Sequence, residues 1–95
     1  MSARTKMLTN AVNAYTSATH KVQSVDVLIS YGGVFDGGSV TLNMLEQGNW
    51  EPITDGVFTS PGQKLLQIAQ GIEIQAVTSG GGGSMAVNLS MLPRY

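Results

Sequence analysis

Apolar and polar residues alternate with period two through most of this chain. Val25, Val27, Ile29 and Tyr31 take turns with Asp26, Leu28 and Ser30. Val40, Leu42 and Met44 alternate with Ser39, Thr41 and Asn43. Ile72, Ile74 and Ala76 alternate with Glu73 and Gln75, and Met85, Val87, Leu89 and Met91 with Ala86, Asn88, Ser90 and Leu92. Such alternation, rich in β-branched residues, marks strands that bury one face. Trp50–Thr54, Val57–Thr59 and the apolar run in Gln63–Ala69 add shorter strands.

Turn signals fall between these runs every 8–12 residues, at Gly32–Gly33, Asp36–Gly38, Glu46–Asn49, Asp55–Gly56, Ser60–Gly62, Gly71 and Ser79–Gly83. Gly37–Thr54 reads as one hairpin turning at Glu46–Asn49, and Pro52 places its second strand at a sheet edge or a bulge. Gly32–Gly33 and Pro93 read as strand ends. No helical pattern intervenes, which excludes βαβ units. The pattern predicts an all-β chain: a small antiparallel β-sandwich, Ig-like or jelly-roll-like, of about 7–8 short strands. The predicted core includes Val27, Ile29, Val40, Leu42, Trp50, Ile74, Val87 and Leu89.

The first 21 residues fit the pattern least. Leu8, Ala11, Val12 and Tyr15 have helical spacing, but Thr9, Asn10, Asn13, Thr16, Ser17 and Thr19 favour turns or extended chain. The expectation is an extended N-terminal arm over 1–21, with a short strand near Leu8–Ala14, preceding a sandwich domain over 22–95. Charge supports the division. Residues 1–21 carry Arg4, Lys6 and Lys21 and no acid, whereas 22–93 carry Lys64 and all six acids. A basic arm on an acidic body suits an acidic partner surface, with Met7–Leu8 as an apolar anchor.

Composition narrows the chemistry. Ninety-five residues make one core. With no cysteine and one histidine there is no disulfide, no thiolate site and no expected metal or cofactor. A chain of this size gains stability by docking or by forming a homo-oligomer, here a dimer or trimer. No apolar run is long enough for a membrane helix or a secretory signal core, so synthesis in the cytoplasm of the producing cell is expected. Gly80–Gly83 leads into a strand with no following lysine, which favours a hairpin connection over a phosphate loop. His20 stands alone and the acids are scattered, so no enzyme is expected. Three N-terminal cations on an acidic body argue against nucleic acid. Trp50, Tyr31, Phe35 and Phe58 fit a core better than a sugar-stacking platform.

One arrangement carries further. Gly37–Gly38–Ser39–Val40–Thr41–Leu42, then Gly48–Asn49–Trp50, then Ile74–Gln75–Ala76–Val77–Thr78, the glycine-rich Ser79–Gly83 and Met85–Leu89 follow in order. The run from Val25 to Leu92 resembles short β-sandwich structural proteins of tailed bacteriophages, over about three-quarters of the chain. It departs at Gln75, where that group often has arginine, and in its longer basic arm. The resemblance implies a virion component: a capsid decoration or cement protein that binds the outer head surface in many copies, stabilises the shell and has the major capsid protein as partner. A carbohydrate- or receptor-binding fibre module, a head–tail connector part and a tail component are the alternatives it leaves. For the decoration role, the residues expected to meet the capsid are Arg4, Lys6, Met7, Leu8 and Lys21.

Overall fold

The computed structural model describes residues 5–22, 26–68 and 71–94. Eight strands run in chain order: β1 (Thr5–Ala11), β2 (His20–Lys21), β3 (Asp26–Val34), β4 (Ser39–Glu46), β5 (Asn49–Phe58), β6 (Gly62–Gln67), β7 (Glu73–Ser79) and β8 (Ala86–Arg94). They form two four-stranded sheets, β1-β8-β3-β6 and β2-β7-β4-β5, with all pairs antiparallel. This is the strand order of a jelly roll, which decides between the two sandwich types that the pattern left open.

The order has a simple origin. β4 and β5 form a hairpin across Gln47 (φ 51°) and Gly48 (φ 82°), a primed turn whose twist matches that of the strands. β3 pairs with β6, β2 with β7 and β1 with β8, each nested outside the last. From Glu46↔Asn49 out to Thr5↔Met91, the midpoint of every nested pair lies within two residues of that turn. The chain is one long hairpin, folded over so that successive rungs fall in alternate sheets. Two further pairings stitch it closed: β3 with β8 over nine residues and β4 with β7 over six.

Period two places Val27, Ile29, Val40, Leu42, Ile74, Val87 and Leu89 between the sheets at 0–1% exposure. Each such side chain contributes about 1.5–3 kcal/mol of burial. Tyr31 stacks on Phe58 inside the roll, with ring centroids 4.0 Å apart. Trp50 departs from its predicted core position. It lies on edge strand β5 opposite Leu45 and is 37% exposed, because the chain reverses two residues earlier and sets it at the rim of the sheet.

The arm is the larger correction. Residues 5–11 are the edge strand β1, and Met7 and Leu8 are buried in the chain's own core. The segment that follows runs along β7. Ser17 N donates to Ala76 O, Thr78 N to Tyr15 O and Val22 N to Ile72 O, each at 2.8–2.9 Å. Two buried hydroxyls complete the tie. Ser17 Oγ accepts from Ala76 N at 2.9 Å. Thr78 Oγ1 donates to Val12 O at 2.6 Å and accepts from Tyr15 N at 2.8 Å. Residues 5–22 thus supply an outer strand to each sheet, and a boundary at residue 21 divides nothing.

Smaller departures have local causes. β3 does not stop at Gly32–Gly33 but runs to Val34, because Gly33 (φ 97°) lets the backbone close on β8, where a Cβ would lie 2.3 Å from Ala86 O. β5 is continuous through the predicted Asp55–Gly56 turn, which appears instead as a bulge of residues 53–56 opposite Leu42. β8 continues past Pro93, which pairs with Val27. The Gly80–Gly83 segment is not a hairpin loop. It crosses from β7 in one sheet to β8 in the other and packs on the Asp36–Gly38 turn. There Ser84 N donates to Asp36 Oδ2 at 3.0 Å.

The Thr78 tie is testable. Thr78→Val keeps the volume and removes every hydrogen bond of the hydroxyl, so it should destabilise the fold by about 1–3 kcal/mol. For a domain of this size that lowers Tm by roughly 5–20 °C, and Thr78→Ser should recover most of the loss. Thermal unfolding by circular dichroism measures both.

Candidate binding surface

The five predicted contact residues do not converge. Arg4 lies outside the described residues. Met7 and Leu8 are interior. Lys6 points to solvent on the first sheet, at the position paired with Ser90. Lys21 belongs to the second sheet, directly across from Glu73. The two described cations of the supposed arm therefore sit in different layers.

Register brings other residues together. On the solvent face of the first sheet, cross-strand partners align into rows. One row runs Leu65–Leu28–Leu92 across β6, β3 and β8. Beside it runs a polar row, Gln63–Ser30–Ser90–Lys6, and on its other side lie Gln67 and Asp26, joined at 3.3 Å from Gln67 Nε2 to Asp26 Oδ1. An antiparallel sandwich ordinarily turns polar residues outward. A leucine row there, with Leu65 56% exposed, is an apolar stripe between polar margins, the anatomy of a protein-contact patch.

Along the polar row lies a groove of about 390 Å³ with a mixed lining, in which Lys6, Thr9, Ser30, Gln63, Asn88 and Ser90 supply the polar groups and Leu8, Tyr31 and Leu89 the apolar surface, and a Cβ at Gly32 would meet only open space. Asn88 Oδ1 is held by the Asn10 backbone N–H at 2.9 Å. Ser30 Oγ is buried without a hydrogen-bond partner among the described residues. Hydroxyls, amides and one ammonium can hydrogen-bond a polar ligand there. A second hollow, of about 370 Å³, is apolar: Met44, Ile53, Ile68 and Ile72 line it beneath Glu46 and Thr54.

Several groups that invited functional readings serve the fold. Asp36 holds the glycine-rich connection. Phe35 and Phe58 are buried and Tyr31, half-buried, stacks on Phe58, so Trp50 is the one of the four that is exposed. Among the described residues no three His, Asp or Glu side chains gather as a metal site, and no helix is long and apolar enough to cross a membrane.

The leucine row had a visible signal. Leu28 and Leu92 are apolar residues in the polar phase of their strands, and Leu65 adjoins Leu66, so one of that pair must face out. The signal becomes a stripe only once register sets them side by side.

Comparison with protein-family models, with curated proteins and with solved structures finds no match to this chain.

Trp50 is the sole tryptophan and reports its own position. Its fluorescence should be red-shifted, quenched by acrylamide or iodide, and unchanged by added sugars, because Phe35 and Phe58 are buried and Tyr31 is stacked on Phe58, so none of them joins it in a platform. A blue-shifted, quencher-resistant emission would place it in the core.

Proposed function

We propose that this chain is a virion structural protein, a capsid decoration protein that binds the outer head surface in many copies and stabilises the shell. The observation that carries the reading is the Leu65–Leu28–Leu92 stripe between polar margins on a rigid sheet. A decoration protein needs such a face and a stiff body behind it. Repeated modest contacts become durable when many copies engage one lattice. The jelly-roll order supports the reading by analogy, since eight-stranded jelly rolls recur among viral capsid proteins. The resemblance of Val25–Leu92 to phage structural proteins points the same way. In this form of the proposal the capsid contact moves from the N-terminal segment to the sheet face, where Lys6 is at the margin.

A second reading has its own observation. The groove of mixed polar and apolar lining beside Ser30, whose buried hydroxyl has no partner among the described residues, suits a carbohydrate and would make the chain a glycan-binding module of a fibre.

Particle composition separates these roles. Quantitative mass spectrometry of purified particles should find the chain at a copy number comparable to that of the major shell protein, and particles lacking it should open at lower temperature. Leu92→Lys, in the stripe, should reduce its occupancy on added heads. A copy number that is a small fraction of the shell protein's would indicate a connector, tail or fibre component, and absence from particles would end the virion reading.

A further inference from the structure

The roll has four sheet edges among its described strands: β1 and β6 in one sheet, β2 and β5 in the other. An exposed edge presents unpaired N–H and C=O groups, and proteins block unwanted pairing with bulges, prolines, very short strands or charged side chains, lysine above all. Three edges carry such devices. β1 has register shifts between Lys6 and Leu8 and between Leu8 and Ala11, with Asn10 at φ 49°. β2 is two residues long. β5 contains Pro52 and the bulge at 53–56. β6 has no bulge, proline or shortening, and its one charge is the exposed Lys64: it pairs with β3 through six consecutive partners, and no described strand lies on its far side. At the middle of its solvent face, between Gln63 and Gln67, is the 56%-exposed Leu65.

We infer that β6 is a self-association edge, on which two copies of the chain pair antiparallel about a two-fold axis at Leu65 to make one eight-stranded sheet. The geometry selects the register. A two-fold axis perpendicular to a continuous sheet sets one edge residue opposite itself. Within Gly62–Gln67 only axes at Lys64 or Leu65 keep five residues paired. An axis at Lys64 sets two ammonium groups face to face, which is destabilising in a cross-strand pair. An axis at Leu65 sets Leu65 against the partner's Leu65, Gln63 against the partner's Gln67 and Lys64 against the partner's Leu66. It also joins the two leucine rows end to end, giving one apolar stripe across six strands. The inference concerns the free protein and does not depend on the virion role.

Cysteine placement tests the register directly, because the chain has no cysteine. Leu65→Cys should form a covalent dimer on mild oxidation. Gln63→Cys and Gln67→Cys should each stay monomeric on a non-reducing gel but cross-link when mixed. By sedimentation equilibrium the unsubstituted protein should be a dimer, and Leu65→Lys should weaken it by about tenfold or more with its thermal unfolding otherwise cooperative. A monomeric unsubstituted protein would overturn the inference. So would a Gln63→Cys variant that cross-links with itself as readily as Leu65→Cys does.

Discussion

The structure depends on a register that its four nested strand pairs share. Turning at Gln47–Gly48 fixes which residue of β4 faces which of β5, and each outer rung inherits nearly the same centre. A one-residue slip would carry a strand's whole apolar set from the core to solvent. The closing pairs, β3·β8 and β4·β7, hold only if the nested register is already right. A small cysteine-free domain gains stability here by linking residues far apart in sequence into one closed network, with the first and last strands side by side. That topology delays its reward, since distant pairings cost loop entropy before they contribute.

The middle and end of the chain were legible because alternation and turn chemistry agree there. The alternation predicted over Ser39–Met44 is observed within β4 (Ser39–Glu46), and the buried phase of β3, β7 and β8 is the predicted one. The N-terminal segment was not legible, for a physical reason. Its polar residues look like loop composition, yet Ser17 and Thr78 spend their hydroxyls on the backbone that joins residues 12–18 to β7. Side chains that read as solvent-seeking are interior fasteners. Of the cations in residues 1–21, Lys6 and Lys21 lie on strands of different sheets, a separation that the charge pattern does not disclose.

The same register explains what was hidden about the surface. Trp50 looked like core because aromatics dominate burial in small domains, but its place two residues after a tight turn on an edge strand leaves it at the rim. Leu28, Leu65 and Leu92 looked like minor breaks in alternation until pairing set them in line. Rigidity and surface chemistry then divide cleanly. The nested pairs and buried hydroxyls tie the body together, and one sheet face carries the leucine row out to the regularly paired edge strand β6. Both proposals for the protein draw on that face.

The central claim is that residues 5–22 are structural strands and not an arm. Native-state hydrogen exchange of the full chain, followed by amide-resolved nuclear magnetic resonance, addresses it most directly. The hydrogen-bonded amides of Ser17 and Val22, and those of β1 bonded to β8, should exchange only through global unfolding, as slowly as those of β7 and β8. Exchange of those N-terminal amides orders of magnitude faster than the rest of the sheets would show a separable arm and contradict the account.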